Sequence, residues 1–158
     1  MNTLSILLDE VRGKTIALLE ATPDDWLLFA PQGTQNHITW HAGHCAWLGD
    51  VLLIEPTMTK RELPIEWTDK FGMNATPPDQ TKQWPSKTEL LRVLRDQHKR
   101  LRQLLSTLRD EDLSRAPKSY GGSRPLAFYI THGLHDEANH QGEMYLLLKL
   151  RRARDAMT

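Results

Sequence analysis

The stretch Ser86-Lys87-Thr88-Glu89-Leu90-Leu91-Arg92-Val93-Leu94 decides the fold class. Ser86 with Glu89 three residues later is a capping-box pattern, in which the two side chains satisfy backbone N–H groups at a helix start. Beyond it Leu90, Leu94, Leu101, Leu104, Leu105 and Leu108 provide the buried stripe of a helix. The spacing predicts a helix from this cap to about Arg109. Working outward, three more segments read the same way. Thr3 to Glu20 carries Leu4, Leu7, Leu8, Val11, Leu18 and Leu19 on one stripe, and Ala21-Thr22-Pro23-Asp24 stops it. Asn36 to Ile54 repeats Trp40, His44, Trp47, Leu48 and Val51 at helical steps, with Pro56 as its expected end. The last helix opens with Pro125 in its first turn, runs to about Arg154, and has an apolar stripe through Leu126, Tyr129, Gly133, Leu147 and Leu150. No segment alternates polar and apolar residues as a half-buried strand would. The expectation is all-α: a four-helix bundle forming a single domain over residues 1–158.

The connections carry their own information. Asp24 to Phe29 reads as a short helical turn, and Ala116 to Ser123, with Gly121-Gly122, as a flexible turn. Glu55 to Pro85 holds five prolines and no sustained period, so a long crossover should join helices two and three, with one helical turn after Pro77-Pro78. Loops of that length are uncommon unless they serve a function. Such a connection argues against simple up-down-up-down topology.

Lysine plus arginine and aspartate plus glutamate both number 20 among the 158 residues. The zero net charge leaves no electrostatic footprint for nucleic acid or an anionic membrane and points to a small-molecule partner. It is also compatible with association into a homodimer. A lone Cys45 cannot form an internal disulfide, and no basic segment followed by an apolar one opens the chain. Both features favour a cytoplasmic location.

Six of the seven histidines fall in two groups, His37, His41 and His44 on helix two and His132, His135 and His140 on helix four; His98 lies on helix three. Facing helices of a bundle are where metal ligands converge. At about 100° per residue, Asp136 lies about 40° from His140, Glu137 and Glu143 about 60° to either side, and His135 about 140° away. Asp136 and His140 are therefore an i, i+4 pair facing the core, and His135 points outward. Rotation leaves His37, His41 and His44 all possible. The apolar flanks Trp40, Trp47, Leu48 and Val51 favour His44, whereas His37 sits in a polar first turn at the expected mouth of the bundle. His37, His41, His132 and His135 read as surface, rim or supporting groups, and His98 as a core or cavity histidine. Cys45, about 100° from His44, reads as a small buried hydrophobe. The five tryptophans read first as core and rim packing, with pocket lining by Trp67 and Trp84 as the alternative.

Two motifs carry a family resemblance. Trp40-His41-Ala42-Gly43-His44-Cys45-Ala46-Trp47 is similar to the second-helix pattern of the DinB-like metalloenzymes, and His135-Asp136-Glu137-Ala138-Asn139-His140-Gln141-Gly142-Glu143 resembles their last-helix pattern. The resemblance implies a four-helix bundle, often dimeric, with one histidine from helix two and an HxxxH pair from the last helix binding a metal. In this chain Asp136 stands where the first histidine of that pair would be. The implied ligand set is His44, Asp136 and His140, which suits Zn, Ni, Fe or Mn as a divalent ion. The implied chemistry is thiol-dependent S-transfer from a low-molecular-weight thiol to a small electrophile, with Glu143 or His41 moving a proton. The alternatives are metal-dependent hydrolysis, or a non-catalytic bundle that binds a small ligand or dimerises with an empty site.

Overall fold

The structure, a computed structural model, describes residues 3–58, 60–75, 83–118 and 123–157. Its helices are α1 (Thr3–Ala21), α2 (Ile38–Leu48), α3 (Glu55–Met58), α4 (Glu66–Phe71), α5 (Lys87–Thr107), α6 (Asp110–Ser114) and α7 (Leu126–Asp155). No strand occurs among the described residues. The helix after Ser86 begins with the Ser86 half of the capping pattern, the hydroxyl accepting from the Glu89 N–H at 3.1 Å. Asp24–Trp26 forms the expected short turn as a 3-10 helix. The turn expected after Pro77-Pro78 and the Gly121-Gly122 pair lie outside the described residues.

Two apolar clusters fix the helix directions. In one, Leu19 near the end of α1 meets Ile38 at the start of α2, Leu90 and Leu94 at the start of α5, and Leu147 and Leu148 toward the end of α7. In the other, Leu8 of α1 meets Leu53 and Ile54, Leu101 and Leu105 late in α5, and Leu126, Ile130 and Leu134 early in α7. The four long helices therefore run up, down, down, up. α1 packs on α5 and α7, and α2 packs on the same two from the other side. α2 and α5 run parallel, so the chain must climb back between them, which is the work of the long crossover.

Pro56 does not end the second helix. The helix starts at Ile38 rather than Asn36, widens into a π-helical segment at Gly49–Ile54, and continues through Pro56 to Met58. In a regular α-helix the proline ring would strike the carbonyl four residues back. Here the preceding N–H, that of Glu55, reaches five residues back to the Asp50 carbonyl, and the widened turn makes room. Asp50, 1% exposed, then accepts from the Glu62 and Leu63 N–H groups at 2.7 and 3.2 Å, pinning the start of the crossover. Burial raises the pKa of this carboxyl despite the two backbone donors.

The crossover itself holds a helix that the sequence reading did not expect. α4 packs its buried Trp67 and Phe71, one turn apart, against α2. The short α6 was likewise unforeseen. Leu7 and Leu150, both assigned to apolar stripes, are exposed at 38% and 39%, because each stripe is narrower than its run of leucines.

Candidate metal centre

The site is assembled where the first half of α2 meets the middle of α7. His37 caps α2: its Nδ1 accepts from the Trp40 N–H at 3.1 Å. The expectation of a histidine at an open mouth is corrected here, since His37 is 2% exposed and the Trp84 ring packs edge-on against it at 4.7 Å. Trp84 comes from the crossover, so the connection closes over this end. The Nε2 of His37 has no hydrogen-bond partner among the described residues.

His44, about two turns further on, is held between two tryptophans. Trp40 stacks on it at 4.7 Å and 13°, Trp47 at 5.4 Å and 27°. Its Nδ1 lies 2.5 Å from the Phe71 carbonyl oxygen. A carbonyl only accepts, so Nδ1 carries the hydrogen and Nε2 keeps its lone pair. That carbonyl is delivered by α4, which α2 receives through the Trp40 indole N–H on the Lys70 carbonyl and the Trp47 indole N–H on the Thr68 hydroxyl, both at 3.2 Å. Close approach depends on Gly43, where a Cβ would lie 2.2 Å from the Phe71 ring.

α7 supplies the other two groups. Asp136 and His140 are half-buried, and one ligand atom from each, with one from His44, all lie within 4.8 Å of one another. The His44 and His140 ring centroids are 4.5 Å apart. His41, 2% exposed, places its Nδ1 2.9 Å from the Nδ1 of His140, so one of these nitrogens donates and the other accepts. The remaining candidates lie elsewhere. His132 and His135 are exposed, and His98 is half-buried and bonded to Asp9 at 2.8 Å. Glu143 is exposed, one turn beyond His140. Cys45 is fully buried, and burial pushes its thiol pKa well up.

Burial keeps the imidazoles neutral. Desolvation lowers His37 and His140 to about 4, and lowers His41 to about 3 with help from its histidine neighbours. It lowers His44 too, against the opposing pull of the Phe71 carbonyl and Asp136. Neutral imidazole is the form that ligates a metal. Two such rings and a carboxylate, with one ring oriented through its far nitrogen by a backbone carbonyl, form a donor set that fits a divalent first-row ion and leaves positions open.

Just past these residues lies a second buried polar group that the sequence reading missed. Arg12, 0% exposed, makes a two-pronged ion pair with Glu137, Nε and Nη2 each 2.8 Å from a carboxylate oxygen. It also donates to the Gln97 side-chain oxygen at 3.0 Å and the Cys45 carbonyl at 3.2 Å. Thr15 donates to Glu137 at 2.7 Å, Gln97 donates to the Ala46 carbonyl at 3.0 Å, and Gln141 reaches Thr15 at 2.8 Å. A signal was present: Arg12 falls within the buried series Leu8, Val11, Thr15 and Leu19, where an unpaired cation could not stay.

No helix among the described residues is long and apolar enough to cross a membrane. No curated protein matches the sequence. A crystal structure described as the conserved protein of a locus from Enterococcus faecalis superposes with a TM-score of 0.60 at 19% identity, covering 93% of this chain and 95% of that one. It supports the fold. Residues 7–144 match the DinB superfamily, a span that reaches from the first turns of α1 into the second half of α7 and contains every residue of the histidine and aspartate cluster. This chain belongs to the DinB superfamily.

Proposed function

We propose that the protein is a divalent-metal-dependent enzyme in which His44, Asp136 and His140 hold the ion and a low-molecular-weight thiol is transferred to a small electrophile. The observation that carries the reading is the convergence of these three groups from two helices, with one ligand atom of each within 4.8 Å of the others. A divalent ion bound there supplies Lewis acidity and lowers the pKa of a thiol or water. The chain's own residues do the rest. The Phe71 carbonyl fixes the His44 tautomer and aims its Nε2. Trp40 and Trp47 restrict the rotation of that ring and exclude water from its faces. His41 shares a proton with His140 at 2.9 Å, which places a proton donor or acceptor beside the ligand set. Glu143, exposed one turn further along α7, is assigned the exchange of protons with solvent.

The test is metal analysis of protein purified without an affinity tag, together with thiol consumption in the presence of halogenated aromatics and epoxides. One equivalent of metal, lost in His44→Ala and in Asp136→Ala, with thiol consumed only by the metal-loaded wild type, is the expected result. Metal without thiol consumption would shift the reading to metal-dependent hydrolysis. Metal-free protein in every preparation would leave a ligand-binding or self-associating bundle.

A further inference from the structure

Each of the three ligand residues is followed in the chain by a residue that α1 holds. Cys45 follows His44, and its carbonyl accepts from Arg12 at 3.2 Å. Glu137 follows Asp136, and its carboxylate is gripped by Arg12 at 2.8 Å and by Thr15 at 2.7 Å. Gln141 follows His140, and its amide donates to Thr15 at 2.8 Å and to the Val11 carbonyl. One residue is about 100° of helix rotation. On α7, turning the ligands toward the metal therefore turns the Glu137 and Gln141 side chains toward α1, which contributes no ligand itself; on α2 the contact is to the main chain beside His44.

From this registration we infer that Arg12 and Thr15 are positioning residues, and that α1 acts as a clamp setting the rotation of α2 and α7, and so the spacing of His44 from Asp136 and His140. The inference rests on the metal reading above. Two further observations support it. Arg12 crosses the bundle centre because Gly49 leaves the space: a Cβ there would lie 2.8 Å from Nη2 and 3.1 Å from the Gln97 side-chain oxygen. Gln97 completes the set by bonding both Arg12 and the Ala46 carbonyl at 3.0 Å, so all four long helices are joined through one guanidinium. Supporting contacts of this kind alter metal affinity when removed, because a ligand displaced by a fraction of an ångström no longer meets the ion with its lone pair.

The double variant Arg12→Met/Glu137→Met separates positioning from folding, since a buried ion pair exchanged for apolar side chains of similar volume commonly leaves stability intact. Cobalt(II) titration, followed by visible absorption, is the readout. The expected result is a folded double variant that binds cobalt roughly 10- to 100-fold more weakly than wild type, with an altered absorption envelope. Wild-type affinity and spectrum in that variant would overturn the clamp. Should the double variant not fold, Gln141→Leu, which releases only the residue after His140, carries the same test: weaker cobalt binding supports the clamp and unchanged binding refutes it. Failure of wild type to take up cobalt would remove the metal reading alone. The imidazole ¹⁵N shifts of metal-free protein then decide: displaced His44 and His140 signals in the variants support the clamp, and unmoved signals overturn it.

Discussion

Two polar clusters share the middle of this bundle and differ in how their hydrogen bonds are used. Around Arg12 every prong of the guanidinium meets an acceptor, and both oxygens of Glu137 meet donors. Around His44 the pattern is different: Nδ1 meets the Phe71 carbonyl and His140 meets His41, while one ligand atom each of His44, Asp136 and His140 converge within 4.8 Å. A network satisfied from within holds helices together. A cluster of two imidazoles and a carboxylate drawn together is one that could hold an ion. Burial of polar groups alone does not distinguish these; the kind of groups brought together does.

The sharpest way to break that contrast is Glu137→Ala, which leaves Arg12 charged and unpaired in the core. It should cost about 3–5 kcal/mol in urea or thermal unfolding, and a loss below about 1 kcal/mol would show that the Arg12 network does not hold the bundle. Gly43→Ala comes next. The added methyl meets the Phe71 ring at 2.2 to 2.5 Å, which should cost about 1–3 kcal/mol by overpacking and displace the carbonyl from His44, seen as a shift in its Nδ1 resonance.

Acid should act on the histidine cluster. The unfolded chain takes up protons near pH 6.5, whereas folded His37 and His140 resist to about pH 4 and His41 to about 3. Depressed folded pKa values mean that stability is complete above pH 6.5 and is lost as pH falls through that window. Metal-free protein should therefore melt about 10 °C or more lower at pH 5 than at pH 7, and a flat profile would contradict the buried neutral imidazoles. Asp136→Asn should have the smallest effect on folding, within about 0.5 kcal/mol, because the group is half-buried. It should nonetheless abolish stoichiometric metal uptake, and retention of the metal would remove Asp136 from the ligand set.

The four long helices were legible because each carries its own stripe and punctuation, Ser86 and Pro125 above all. That His44, Asp136 and His140 would come together was legible from rotation and flanking tryptophans. What escaped depends on distant partners. α4 is six residues long with two apolar anchors, Trp67 and Phe71, too short for a period to stand out among prolines. Pro56 looked like a stop because a π-widened turn leaves no trace in composition. Glu137 looked like a flank of the ligand face, because its partner Arg12 lies 125 residues away. His37 looked solvent-facing until Trp84, 47 positions later, was seen to cover it.

The group that orients His44 is a main-chain oxygen. No single substitution at position 71 can delete it, so the imidazole's tautomer is insulated from mutation in a way that a carboxylate partner would not be. Divergence in the crossover can instead act by sliding that oxygen a few tenths of an ångström, which gives evolution a graded adjustment of the histidine's basicity without touching any ligand.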